Sequence, residues 1–282
     1  MRQALIHGER METKEGQGCL DCCVITPCFN SGLYLESMLE SVHRQQIPEI
    51  RHLVFDGGST DDSVAILDKW ARTHGNFHWV SRKDEGQADA LNQALSHVTT
   101  RYFGWLNADD LYLAGGLDAL YSAANTYFGN HGEFPAIVYG DYKVIDGRGS
   151  IIAHRPQPSF NRWDCLHGYL GIQNSAALFN TELLRQAGGF DKKWRFVMDY
   201  DVILKLSALG SVVHISRYCG AFRLHGASKT SVLDDVCRQE TRLLRSQNGV
   251  RSSPWIAYLT HKYALTRVVC RMAREGCLAA RL

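Results

Sequence analysis

Tyr102-Phe103-Gly104-Trp105-Leu106-Asn107-Ala108-Asp109-Asp110 is the stretch whose reading decides the fold. Its first half is an apolar, aromatic run with the composition of a buried β-strand. It then changes abruptly to an amide and two carboxylates. In open α/β sheets, ligands bind in the crevice outside the carboxyl ends of the strands. Clustered oxygen ligands there suit a hard divalent cation such as Mg²⁺ or Mn²⁺, commonly shared with substrate phosphates. The competing reading is a polar turn in which Asp110 caps the next helix.

Working outward, residues 22–27, 52–56, 77–81 and 102–106 read as strands, and 33–46, 60–74 and 87–98 as helices. Val64, Ile66, Leu67 and Trp70, for example, recur at helical spacing. Strands alternating with helices of this length predict right-handed βαβ units and a parallel sheet. Past Asp110 the order loosens. A helix is expected over 112–128, and strands over 136–139 and 143–153 around a turn at Asp146-Gly147. The proline- and glycine-bearing segment 155–171 reads as loop or short helix. A strand over 173–179, a helix over 199–209, a strand over 211–215 and helix after Ser231 complete the pattern.

At 282 residues the chain can bury one large core or two smaller ones. Hydrophobic content of 45% and charged content of 21% exclude a disordered chain. The net charge of +2 offers no global case for nucleic-acid binding. Residues 1–18 are polar and lack the apolar centre of a secretory signal, and no run of 18 apolar residues appears. A cytoplasmic location is the expectation that follows. Among the nine cysteines, Cys19-x-x-Cys22 looks like half a zinc site, but no second pair matches it. Cys22 and Cys23 fall inside a strand, where thiols behave as small buried hydrophobes. An odd count without a signal argues against a disulfide scaffold.

The other strand ends are polar too. The first runs Ile25-Thr26-Pro27-Cys28-Phe29-Asn30-Ser31-Gly32, where proline ends the ladder and Asn-Ser-Gly opens a loop capping the next helix. The second runs Phe55-Asp56-Gly57-Gly58-Ser59-Thr60-Asp61-Asp62; its glycines allow close backbone approach, and Ser59, Thr60 or Asp61 can cap a helix. After the third comes Asp84-Glu85-Gly86-Gln87-Ala88-Asp89-Ala90-Leu91-Asn92. On a helix starting near Gln87, Asp89 and Asn92 share a face and would form a polar binding wall. Neither Gly-x-Gly-x-x-Gly nor a Gly-Lys-Ser/Thr loop is present, so dinucleotide and P-loop readings lapse.

These four motifs, in this order across residues 20–115, resemble the inverting glycosyltransferase family 2, with weaker similarity to about residue 230. The resemblance implies a GT-A fold: a nucleotide-diphosphate-sugar-binding α/β sheet flanked by helices, here with a C-terminal helical extension. It implies donor contacts from Pro27, Phe29, Asp56, Asp84 and Asp89. Asn107-Ala108-Asp109 stands at the family's Asp-x-Asp motif, so Asp109 would hold Mg²⁺ or Mn²⁺ and Asn107 would meet the ribose. Arg82 replaces a frequent glutamate. Gly189-Phe190-Asp191 and Phe196-Val197-Met198-Asp199-Tyr200-Asp201 resemble the segment that carries the catalytic base, which would be Asp199; Asp201 reads better as a first-turn charge. In Phe222-Arg223-Leu224-His225-Gly226-Ala227-Ser228, which resembles the loop closing over the donor, His225 would complete the metal site and Arg223 would meet the diphosphate. Gln173 would line the acceptor pocket.

The Gln-x-x-Arg-Trp motif of processive relatives is absent, Arg162-Trp163 being preceded by Ser159, so a single sugar per encounter is expected. Residues 1–19 read as a polar segment, 20–230 as the catalytic domain (donor half 20–115, acceptor half 116–230) and 231–282 as helical. After Pro254, Lys262, Arg267, Arg271, Arg274 and Arg281 face one acid, Glu275, which suits either an anionic membrane surface or a solvated basic side. The expected partners are a nucleotide-diphosphate sugar and a saccharide or lipid-linked acceptor. Two alternatives are a sugar-nucleotidyltransferase, for which the first loop lacks a basic residue, and a non-catalytic membrane-surface adaptor.

Overall fold

The computed structural model describes residues 22–45, 47, 50–226 and 234–250. Its first half is the parallel unit expected: β1 (Cys23–Cys28), α1 (Gly32–His43), β2 (Arg51–Asp56), α2 (Ser63–Ala71), β3 (Phe77–Ser81), α3 (Gln87–His97) and β4 (Tyr102–Trp105). β1 pairs in parallel with both β2 and β4, and β2 with β3. Side chains alternate across β1: Cys23 and Ile25 join Leu53, Leu91 and Phe103 on one face, while Cys22 and Val24 join Leu35, Leu39 and Leu67 on the other. Burial of both faces is why these strands read as unbroken apolar runs.

The second half departs from the periodicity. Leu111–Tyr112 form a short strand, β5, so the following helix, α4 (Gly116–His131), starts later than expected. β5 is drawn into the sheet by antiparallel pairing with β9 (Val212–Arg223). A side chain on Gly104 would collide with the Tyr112 hydroxyl at 2.1 Å, which explains a glycine in a central strand. Residues 137–145 form one strand, β6, and residues 151–155 another, β7; Asp146 shapes the turn between them by accepting from the amides of Arg148 and Ser150 at 2.9 and 2.8 Å.

The short helix α5 (Arg162–Leu166) agrees with one of the two expectations for that segment. The expected strand 173–179 is divided into a 3-10 turn (Asn174–Ala176) and β8 (Ala177–Asn180). An unexpected helix, α6 (Thr181–Gln186), follows, with the Asn180 side chain accepting from Leu183 N. After α7 (Met198–Leu209), β9 runs well beyond the expected 211–215. It follows β6 through register shifts around Asp141, and its polar middle concealed the length. The last described helix, α8 (Asp234–Gln247), buries Leu244 in the core cluster that α3 and α7 share.

The strands form one nine-stranded sheet in the order β3-β2-β1-β4-β8-β6-β9-β5, with β7 on β6. The parallel strands place the ends of β1, β2, β3 and β4 along one edge. The strand order reverses between β1 and β4, the position where such sheets take ligands. Cys22, Cys23, Cys28, Cys165 and Cys219 are buried as thiols, outside any disulfide. Burial, with help from Asp56, pushes the Cys28 thiol up to about 12. The half zinc motif includes Cys19, and the basic segment after Pro254 also falls outside the described residues.

Candidate active site

The loops after β1 and β2 are zipped together. Asn30, at a left-handed φ of 47°, donates its amide to Ser59 Oγ at 2.7 Å and accepts from Thr60 N at 2.9 Å. Ser31 N donates to Ser63 Oγ, and Gly32 N to Asp61 Oδ2, both at 2.9 Å. Ser31 itself makes no side-chain cap to α1; Asp61 accepts from Ser63 N and shapes the start of α2. This bracing holds Pro27 half-buried at the end of β1 and leaves Phe29 63% exposed beside the switch point.

Asp56 is turned inward. Its Oδ2 accepts from Gly58 N, Ser59 N and Ser81 Oγ at 3.1, 3.0 and 2.6 Å, and Oδ1 accepts from the Ser59 hydroxyl. The carboxylate therefore fastens the β2 loop to the end of β3. Asp84 lies beside it: a side-chain carbon on Gly57 would stand 2.9 Å from Asp84 Oδ2, so any larger residue would push the carboxylate aside. Burial, then the charges of Asp89 and Asp56, push the Asp84 carboxyl up, against the amide of Gly86 that it accepts. Arg82 is engaged with Gln93.

Asp89 pairs with Lys192 at 2.7 Å and accepts from Gln93, and the lysine holds its carboxyl below the usual range. The expected polar wall does not form on Asn92. Its amide instead clamps Phe190, donating to the carbonyl at 2.7 Å and accepting from the amide at 2.9 Å. That clamp, with Lys192, draws the segment before α7 over the start of α3. Asn107 accepts from Gln87 Nε2 at 2.9 Å and Trp105 Nε1 at 3.1 Å, and donates to Asp110 at 3.3 Å, so α3 is joined to the end of β4.

Asp110 does not cap a helix; α4 begins six residues later, at Gly116. It is fully buried and accepts from Arg223 N at 2.8 Å, fixing β9 to the loop. Burial, then Asp109, push its carboxyl well above the usual range. Arg223, 4% exposed, donates Nε to the carbonyl of Asp109 at 2.7 Å and NH1 to that of Asp146 at 3.2 Å. These bonds commit much of its fork to backbone.

Asp109 and His225 are brought together: Oδ2 lies 3.1 Å from Nε2, with the Asp109 side chain 30% exposed. Two neighbouring ligands on a cation with bonds of about 2.1 Å stand about 3 Å apart, and the carboxylate of the pair suits Mg²⁺ or Mn²⁺. The pair therefore fits such an ion. No third histidine, cysteine or carboxylate joins them in a metal-holding group among the described residues. Phosphate oxygens would supply the remaining ligands.

Asp199 lies in the first turn of α7, partly exposed, with Oδ1 accepting from Tyr200 N at 2.8 Å. Asp201 lies in the first turn of α7, as expected, and also pairs with Lys205 at 2.7 Å. Sequence reasoning missed Glu240, whose carboxylate on α8 accepts from Arg195 N, Phe196 N and Val197 N at 2.9, 2.8 and 3.2 Å. It caps the chain entering α7, and no local signal linked it to residues 43–45 positions away. Gln173 donates to Asn174 Oδ1 at 3.0 Å, where the 3-10 turn lies against β4, β5, β6 and β9.

A mixed sheet in this order, with polar strand ends gathered at one edge, defines a GT-A-type α/β domain. Its fold is shared by S. aureus TarS 1-349 in complex with UDP-GlcNAc (TM-score 0.63, 17% identity, 90% of this chain and 73% of that one). It is also shared by the mannosyltransferase PcManGT from Pyrobaculum calidifontis in complex with GDP-Man and Mn²⁺ (TM-score 0.59, 20% identity, covering 92% and 74%). The model of the family described as Glycosyl transferase family 2 matches residues 23–179, and the chain belongs to that family. It is 26% identical over 217 residues to a chondroitin synthase of Escherichia coli, covering 77% of this chain and 31% of that protein. It is 26% identical over 204 residues to a hyaluronan synthase of Pasteurella multocida, covering 72% and 20%. The chain thus spans a third or less of the length of these relatives.

Proposed function

We propose that the chain transfers a single sugar, with inversion, from a nucleotide-diphosphate sugar to a hydroxyl of a saccharide or lipid-linked acceptor. The observation that carries this reading is the Asp109–His225 pair at 3.1 Å, at the switch point of a family 2 glycosyltransferase sheet. Relatives of the same fold solved with UDP-GlcNAc, or with GDP-Man and Mn²⁺, support a nucleotide-sugar donor and a divalent cation.

Phe29 and Pro27 would border the base and ribose, with Asp84 and Asn107 at the flanks of the same crevice. Asp56, Asp89 and Arg223 are engaged within the protein and would shape the donor site rather than reach far into it. Asp199 would take the proton from the acceptor hydroxyl as its oxygen bonds to the anomeric carbon. The bond to the diphosphate breaks on the opposite face, which inverts the configuration. Mg²⁺ or Mn²⁺ on Asp109 and His225 would supply neutralisation of charge on the leaving nucleoside diphosphate.

In this reading residues 20–115 form the donor half and 116–230 the acceptor half, with Gln173 on the acceptor side. A lipid-linked acceptor would be met at a membrane surface, from a cytoplasmic position. No helix of the described residues is long and apolar enough to cross a membrane.

Donor hydrolysis across UDP-, GDP- and dTDP-sugars, with and without Mn²⁺, tests the reading. Mn²⁺-dependent release of one nucleoside diphosphate, lost in Asp109→Ala, is expected. Full activity in EDTA, or in Asp109→Ala, would overturn the metal assignment.

A further inference from the structure

Tyr34, in the first turn of α1, has no part in the reading above, yet its ring packs on both His225 and Arg223, the end of β9 that meets Asp109. The Tyr34 and His225 ring centroids are 4.7 Å apart, with the planes tilted at 51°. The guanidinium carbon of Arg223 stands 4.7 Å from the Tyr34 centroid, a cation–π contact. That guanidinium donates to the Asp109 carbonyl at 2.7 Å, and the Arg223 amide donates to Asp110 at 2.8 Å. The hairpin turn meets the same ring, because a side-chain carbon on Gly147 would come within 3.2 Å of the Tyr34 hydroxyl and 3.9 Å of His225 Cβ.

We infer that Tyr34 is a positioning residue for the divalent cation: its ring sets the plane of the His225 imidazole so that Nε2 meets Asp109 Oδ2. The inference rests on the cation reading of that pair. Groups that orient a metal-binding imidazole hold it in the ligating rotamer before the ion arrives, and their loss typically weakens binding about 10–100-fold. The ring, rather than the hydroxyl, makes both the His225 and the Arg223 contacts. The fold does not depend on it, since α1 is anchored by Leu35, Met38, Leu39 and Val42, all buried, while Tyr34 is half-buried.

The test is Mn²⁺ binding by the metal-stripped full chain, followed by the electron paramagnetic resonance signal of free Mn²⁺, with and without UDP. Tyr34→Phe is expected to bind within about twofold of the unaltered protein. Tyr34→Leu is expected to bind about tenfold or more weakly, as when a group that orients a metal-binding imidazole is lost, with an unchanged thermal midpoint in EDTA. Mn²⁺ affinity unchanged in Tyr34→Leu, while Asp109→Ala abolishes it, overturns the inference and leaves the cation reading standing. An unaltered protein that takes up no Mn²⁺ overturns both. If Tyr34→Leu does not fold, the unaltered protein is examined by NMR: a nuclear Overhauser effect between the Tyr34 and His225 rings, kept in Tyr34→Phe, supports the inference, and its absence overturns it.

Discussion

The backbone amide of Arg223 donates to Asp110 Oδ1 at 2.8 Å, joining residues 113 apart in the chain in a site where Asp110 is fully buried. The bond fixes the end of β9 against the loop after β4, and it holds His225 and Asp109 within reach of one another. Asp110→Ala would leave the Arg223 amide and the Asn107 side chain without their acceptor. The expected loss is about 1–3 kcal/mol of stability for the orphaned buried donors, with weaker Mn²⁺ binding. Urea unfolding together with Mn²⁺ titration checks both. A variant as stable as the unaltered protein would show that the acceptor is dispensable.

Glu240 accepts the backbone amides of Arg195, Phe196 and Val197, immediately before α7 and the Asp199 it carries. Hydrogen bonds to a charged acceptor are the stronger kind, about 1.5–3 kcal/mol each before the exposure of this side chain is discounted. Glu240→Ala should cost on the order of 2 kcal/mol in urea unfolding and lower kcat, with Glu240→Gln recovering part of each. If Glu240→Ala unfolds like the unaltered protein, the cap contributes nothing.

Asp199→Asn retains shape and removes the base. Under the proposed mechanism kcat falls about 10²–10⁴-fold, the usual contribution of a positioned general base. Mn²⁺ affinity should not change, since in this reading Asp199 serves the acceptor hydroxyl while Asp109 and His225 hold the cation. Steady-state transfer with the donor identified by hydrolysis gives the measurement, and near-normal kcat would remove Asp199 from the role.

Acid should destabilise the fold through buried histidines. Burial, then His43, hold the His52 imidazole well below its usual range; burial, then His74, push His43 down to about 4. These rings are neutral in the folded chain and take up protons in the unfolded one. Their stabilisation is therefore complete above about pH 6.5 and is lost as pH falls from about 6.5 towards 4. Fully buried His52 alone contributes a slope of up to about 1.4 kcal/mol per pH unit. Urea unfolding at about pH 7 and about pH 5 should show the difference, reduced in His43→Phe. Equal stability at the two values would contradict the expected protonation.

The amino-acid sequence by itself determined the parallel half of the sheet and the polar character of its strand ends. There the secondary structure is set by local periodicity: apolar runs such as Val24-Ile25 and Phe103-Gly104-Trp105 have no other way to bury both faces, and Pro27, Gly57 and Gly86 punctuate them. The polar end of the fourth strand was legible as a candidate site for the same reason. Partnership was not. Only the tertiary structure decided that Asp110 is a buried acceptor, that Asp56 turns inward to Ser59 and Ser81, that Asn92 clamps Phe190, and that Glu240 caps α7. A carboxylate or amide at a strand end can meet substrate, metal or backbone equally well. Which one it meets depends on amides delivered from segments tens to more than a hundred residues away, and that information lies in the packing of the sheet rather than in any local run of residues.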